Sequence, residues 1–176
     1  MPAAGRAAAD VCFSRFGVMF FADPVAAFSN LHMAMLPGGR LGFVCWQSLP
    51  ENPWMLVPAM AAAQHVVLPV PTSPDAPGPF AFADADRVRG ILERAGFSSV
   101  AIDGHRTTLR VGGADGIDQA VDFMLQMGPA GAALREADPG VRGTVAAAVR
   151  EAIAPYHTAH GVRMGGAAWI VTARRG

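Results

Sequence analysis

The sequence predicts an α/β fold built on a parallel βαβ unit, and three stretches carry that expectation. Asp10–Ser14 (DVCFS) is an apolar run rich in strand-forming residues, and the apolarity continues through Phe16, Val18, Met19, Phe20 and Phe21. A run with almost no polar interruption predicts a strand buried on both faces, as in a parallel sheet. Asp23-Pro24 then reads as a helix start, with Asp as N-cap and Pro in the first turn. Val25, Phe28, Leu31 and Met35 follow on one helical face, and Pro37-Gly38-Gly39 reads as the stop. Leu41–Trp46 (LGFVCW) is a second all-apolar strand. Two buried strands joined by a helix imply a parallel crossover, which is right-handed in nearly all cases.

The remaining elements follow in order. A helix rich in Ala and Met is expected from Trp54 to about Val67, and the prolines of Pro69–Pro79 require a loop or lid. Another helix starts at Asp84; Val88, Ile91, Leu92 and Ala95 share its face and Gly96 closes it. Ser99 to about Val111 reads as a strand broken by Gly112-Gly113. Ile117, Val121, Met124 and Leu125 mark a helix, and Asp138-Pro139 reads as the cap of a further one carrying Val141, Val145, Val149 and Ile153 on one face. Ala167–Ala173 (AAWIVTA) is a last apolar strand. The whole reads as a single domain over residues 1–176, with a lid-like insertion at 50–82 and a helical cap at 114–160.

Composition narrows the function classes. With 176 residues, 52% hydrophobic and 16% charged, the chain is of globular type. A domain near this size buries roughly 70% of its unfolded surface. The formal net charge is zero, which removes the electrostatic case for a nucleic-acid or acidic-membrane partner. All 14 basic residues are Arg. Two cysteines, Cys12 and Cys45, make no disulfide framework and suggest a reducing, cytoplasmic setting. No apolar run approaches the roughly 20 residues of a membrane-spanning helix, and Met1–Asp10 lacks the apolar stretch of a signal peptide.

The ordered set Ser14, Asp23-Pro24, Leu36-Pro37-Gly38-Gly39 and Leu41–Trp46 resembles the methyltransferase type 11 group of class I S-adenosylmethionine-dependent methyltransferases. Phe80-Ala81-Phe82, Ala95-Gly96-Phe97 and Ala168-Trp169-Ile170-Val171 extend that resemblance over nearly the whole chain. It implies a partial Rossmann-like sheet, the family's fourth to seventh strands, with the last strand antiparallel and inserted between the fifth and sixth. It also implies methyl transfer from S-adenosylmethionine to a small molecule. In the family the cofactor is held mainly by the first three strands, through a glycine-rich loop and an acidic residue. Here the resemblance begins at the fourth strand. Ala4-Gly5-Arg6 is no substitute for that loop, and Gly112-Gly113 lies far downstream without the acidic partner. The expectation is a chain that is weak or inactive alone. Its partners would be a missing N-terminal half or, through the bare edge of Asp10–Ser14, a second copy. A non-catalytic interaction module is the alternative.

In open α/β sheets ligands sit beyond the carboxyl ends of the strands. By resemblance, Ser14, Arg15 and Phe16 lie near the methionine end of the cofactor; read only as structure, Ser14 and Arg15 cap strand and turn and Phe16 is core. Phe20, Trp46, Asn52, Trp54, Phe80 and Phe82 are the candidates for the substrate pocket, with core packing, an N-cap role for Asn52 and loop packing as the competing readings. His105, Tyr156 and His157, with His160, are general-base candidates by residue type. The spacing of His157 and His160 suits a metal, but no third ligand accompanies them, and no metal is expected. Cys12 and Cys45 read as buried free thiols on neighbouring strands.

Overall fold

A computed structural model describes residues 9–70, 72–73, 75–113, 116–135 and 137–176, so Ala4-Gly5-Arg6 lies outside the described residues. In chain order the elements are β1 (Ala9–Arg15), α1 (Pro24–Ala34), β2 (Met35–Trp46), α2 (Pro53–Ala62), α3 (Ala85–Arg94), β3 (Phe97–Val111), α4 (Ile117–Met124), α5 (Gly128–Leu134), α6 (Pro139–Ile153), β4 (His157–Thr158) and β5 (Gly161–Arg175). The sheet order is β1-β2-β5-β3, with β4 forming a hairpin on β5. β1 and β2 are parallel, and β5 is antiparallel to β2. The last strand is thus inserted beside β2, as the resemblance implies.

The chain divides into two compact units. The first holds the described residues up to Ser48, with Ser73–His105 and Ala167–Gly176; the second holds Leu49–Thr72 and Arg106–Gly166. The core of the first unit is aromatic. Phe28 from α1 packs 5.4 Å from the Phe43 ring and 6.1 Å from Phe82. Val88, Ile91, Leu92 and Ala95 are buried against them, as the helical spacing predicts. α1 begins as read: the Asp23 carboxylate accepts from the Ala26 N–H at 2.9 Å. Asp84 does the same for α3, accepting from the Asp86 and Arg87 N–H groups.

Two expectations about this unit are corrected. β1 is not buried on both faces: Val11 and Phe13 are 55% and 70% exposed, while only the Cys12 side packs on the core. The apolar alternation is there, but only one row is covered. α1 also stops earlier than Pro37-Gly38-Gly39. It ends at Ala34, and fully buried Met35 already belongs to β2, opposite Ala9. Pro37-Gly38-Gly39 instead forms an irregularity inside the strand, since the next registered pair is Val11 with Arg40. Gly38 has φ +76°, and a Cβ on Gly39 would sit 2.8 Å from the Leu36 carbonyl oxygen, so the glycines serve a bulge.

The second unit is helical at its centre. Val145, Val149 and Ile153 of α6 are fully buried, and α6 packs on α2 and α4. α2 ends at Ala62, short of the expected Val67, and α5 is a separate helix that no sequence period announced. Asp138 precedes α6, but its side chain makes no capping bond. β5 starts at Gly161, ahead of the expected Ala167. Its glycines hide it: a Cβ on Gly166 would lie 2.6 Å from Leu109 Cδ1, so the strand needs glycine where strand propensity is poorest.

Candidate functional site

The carboxyl ends of β1 and β2 meet in the first unit. Phe16 follows β1 immediately, and its N–H still donates to the Val44 carbonyl at 3.0 Å. Its φ is +57°, a left-handed conformation that costs a non-glycine residue on the order of 1–2 kcal/mol. That geometry accompanies a ring placement: Phe16 stacks on Trp46 with centroids 4.0 Å apart and planes 13° from parallel. A stacked aromatic pair contributes about 0.5–1.5 kcal/mol beyond area burial, of the same order as the strain. Both rings are half-buried. Ser14 is half-buried beneath the turn; a Cβ on Gly17 would sit 3.1 Å from its hydroxyl oxygen. Arg15 is exposed.

The Trp46 end of β2 is held from several sides. Its N–H faces Met19 Sδ at 3.4 Å, and the Met19 carbonyl accepts from the Gly78 N–H at 3.1 Å. Gln47, next along, is buried; its N–H donates to the Ala167 carbonyl and its side-chain amide to that of Ala168, both at 3.0 Å. Gly104 closes the packing, since a Cβ there would lie 3.3 Å from both Gln47 Nε2 and the Trp169 ring. The Trp169 indole donates to the Ala83 carbonyl at 2.8 Å. The positioning part of Gln47 was not read from the sequence. Its signal is one amide directly after an all-apolar strand, where a buried polar group must find partners.

The other candidates in this unit separate. Phe20 is 55% exposed and Phe80 half-buried. Phe82 is 1% exposed and enclosed among Phe28, Phe43 and the Arg87 guanidinium, which lies 5.8 Å from its ring centroid. It is a core residue and not the wall of an opening. His105 is exposed on β3. Cys12 stands opposite Leu41 and Cys45 opposite Trp169, so the thiols do not face each other. Burial pushes the Cys45 thiol up to about 12. It is therefore neutral and unsuited to nucleophilic work.

In the second unit Asn52 is fully buried at the start of α2, and its side-chain oxygen accepts from the Trp54 indole N–H at 3.3 Å in place of a capping bond. Trp54 is 6% exposed and stacks on Phe123 at 6.5 Å. The cavity beside it is only about 10 Å³, too small for a substrate group. A larger groove of about 600 Å³ runs along α2 and α6, lined by Leu56, Val57, Met60, His65 and Glu151 among others. Tyr156 is half-buried, and His157 and His160 are exposed on β4 and its turn. Among the described residues no three His, Cys, Asp or Glu side chains gather as a metal site. No helix among them is long and apolar enough to cross a membrane. Gly112 has φ +76°, and a Cβ there would lie 2.3 Å from Ala120 Cα, so close approach to α4 accounts for this glycine.

Comparison with known proteins identifies the fold. The structure of a candidate methyltransferase from Bacillus halodurans C-125 matches 99% of this chain and 73% of its own, at 12% identity and a TM-score of 0.52. The chain has that mixed, Rossmann-like α/β fold. Two further structures match at lower TM-scores. The [4+2]-cyclase SpnF is 20% identical at a TM-score of 0.43, over 99% of this chain and 52% of its own. Phosphoethanolamine N-methyltransferase 2 of Haemonchus contortus, in complex with phosphomonomethylethanolamine and S-adenosylhomocysteine, is 11% identical at 0.42, over 94% of this chain and 33% of its own. No protein-family model and no curated protein matches the chain.

Proposed function

We propose that this chain is the C-terminal part of a class I S-adenosylmethionine-dependent methyltransferase of the type 11 group, acting on a small molecule in the cytoplasm. The Phe16–Trp46 pair at the carboxyl ends of two parallel strands carries the reading. Bound S-adenosylmethionine supplies an electrophilic methyl group on a sulfonium. Half-buried aromatic faces attract such a cation and keep water from it. Ser14 adds a half-buried hydroxyl, and Arg15 adds a cation suited to a carboxylate. Backbone strain at Phe16 is of the kind that collects at ligand sites. Gln47 and Met19 hold the Trp46 end in place, which is the alignment that methyl transfer needs. For the acceptor's proton, His105, Tyr156 and His157 are the candidates by residue type.

In this reading the chain alone binds cofactor weakly, because the named contacts come from the ends of two strands only. Backbone NMR of the purified chain titrated with S-adenosylmethionine tests it. The expected result is a Kd of about 1 mM or weaker, with shifts confined to Ser14–Gly17 and the Trp46 indole. Phe16→Gly should abolish the shifts while leaving the fold intact, since glycine accepts the same φ. Shifts centred elsewhere, or none, would remove the assignment. A second reading rests on β1, an edge strand among the described residues whose Val11 and Phe13 are exposed: a non-catalytic module that pairs through this edge. A discrete dimer in sedimentation, dissolved by Val11→Lys, would favour it.

A further inference from the structure

Arg40 of β2 stands directly opposite Arg174 of β5 in the antiparallel ladder, and both are exposed. Like charges directly opposite across a strand pair destabilise it. Among the described residues three other arginines pair with carboxylates: Arg87 meets Asp75 at 2.6 Å, Arg106 meets Glu51 and Arg150 meets Asp118. Arg89 donates to the Val100 carbonyl, and Arg175 to those of Met33 and Met35. Among the described residues neither Arg40 nor Arg174 meets a carboxylate. The two share a groove of about 260 Å³ with Leu41, Ser99, Thr172 and Ala173. Among the described residues Ser99 is one of two non-glycine residues with positive φ, at +53°, and its neighbour Ser98 is tied by its hydroxyl to the Arg174 carbonyl at 3.3 Å.

The groove thus gathers two forked cations and two hydroxyl groups, with no acidic lining residue. Guanidinium groups match the spacing of phosphate oxygens and bind them in pairs, and a serine or threonine hydroxyl donates to a third. A dianion between the two arginines converts a repulsive pair into a bridged one. From Arg40 to Trp46 the strand runs roughly 20 Å at about 3.3 Å per residue, so this groove is separate from the Phe16–Trp46 end. We propose that Arg40, Arg174, Ser99 and Thr172 form a binding site for a phosphate-type oxyanion, either free phosphate or the phosphomonoester end of a small organic molecule.

Calorimetric titration of the full chain with inorganic phosphate and with glycerol 3-phosphate, at fixed ionic strength in chloride, tests this. Saturable one-to-one binding with a Kd of about 1 mM or tighter is expected. Tighter binding of glycerol 3-phosphate would identify a phosphomonoester as the source, and tighter binding of phosphate the free ion. Arg40→Gln and Arg174→Gln should each weaken binding at least about tenfold, whereas Arg142→Gln, exposed on α6, should leave it within about twofold. Thermal melts give a second readout independent of affinity. Without phosphate, Arg40→Gln should raise the melting temperature by relieving the like-charge pair; with phosphate it should lose the gain that the parent chain shows. No saturable binding, or binding indifferent to both substitutions, would overturn the site.

Discussion

Both faces of the β1–β2–β5 sheet carry large apolar residues, and these have different fates. On one face Leu41, Phe43, Cys45, Val171 and Ala173 are at most 3% exposed, beneath Phe28 of α1 and Val88, Ile91 and Leu92 of α3. On the other, Val11, Phe13 and Ile170 are 40–70% exposed and Arg40 and Arg174 reach solvent. Apolarity in a strand therefore states what a face can bury, and the elements packed on it decide what it does bury. The sharpest way to break the comparison is to truncate one aromatic from each side. Phe28→Ala empties the covered face and should cost about 3–5 kcal/mol in urea unfolding. Phe13→Ala should change stability by no more than about 0.5 kcal/mol. Equal losses would mean that the second face is as well packed as the first.

The cysteines repeat the contrast on a smaller scale. Cys45 is fully buried, its thiol facing the Phe82 carbonyl at 3.9 Å, and Cys12 is half-buried on the edge strand. Burial raises the Cys45 pKa from 9.0 to about 12, so the folded chain keeps a proton that the unfolded chain loses above pH 9. The stabilisation is full below pH 9. It should fall by about 1.4 kcal/mol per pH unit between pH 9 and 12. Cys45→Ala should flatten that slope relative to the parent chain. Iodoacetamide at neutral pH should label Cys12 well before Cys45.

What was legible in the sequence follows the same physics. α3 was readable to within a residue because Asp84, the Val88–Ile91–Leu92–Ala95 face and Gly96 all say one thing. β1 and β2 were readable as strands, but a run apolar on both sides does not say which side is covered. The residues at their carboxyl ends, Ser14–Phe16 and Trp46, were legible as a group because strand ends position them. Phe82 was not: beside a proline-rich loop, a pocket wall and a core residue share one sequence signature. The first half of β5 was hard to see because Gly161 and Gly166 are present for φ and space, against strand propensity. Gly112 belongs to the same class. Its φ of +76° and the 2.3 Å approach of Ala120 Cα leave no room for a methyl group, so Gly112→Ala should cost about 2–3 kcal/mol. Gly116→Ala, which has positive φ and open space, should cost less, about 1–2 kcal/mol.

The smallest effect separates two Asp-Pro pairs that look identical as sequence. Asp23 accepts from the Ala26 N–H at 2.9 Å and so satisfies one orphan donor of α1. Asp138 occupies the same place before α6, yet only its backbone carbonyl is engaged, by the Val141 and Arg142 N–H groups. Its carboxylate makes no hydrogen bond to the first turn. Asp23→Ala should therefore lose about 1 kcal/mol of stability. Asp138→Ala should stay within about 0.5 kcal/mol, losing only the weak attraction of a charge for the helix N-terminus. Raising the salt concentration should shrink the Asp138 effect further, because that residual term is screened. The Asp23 effect should persist, because a formed hydrogen bond is not. If both substitutions cost the same at high salt, the side chain of Asp138 caps α6 after all.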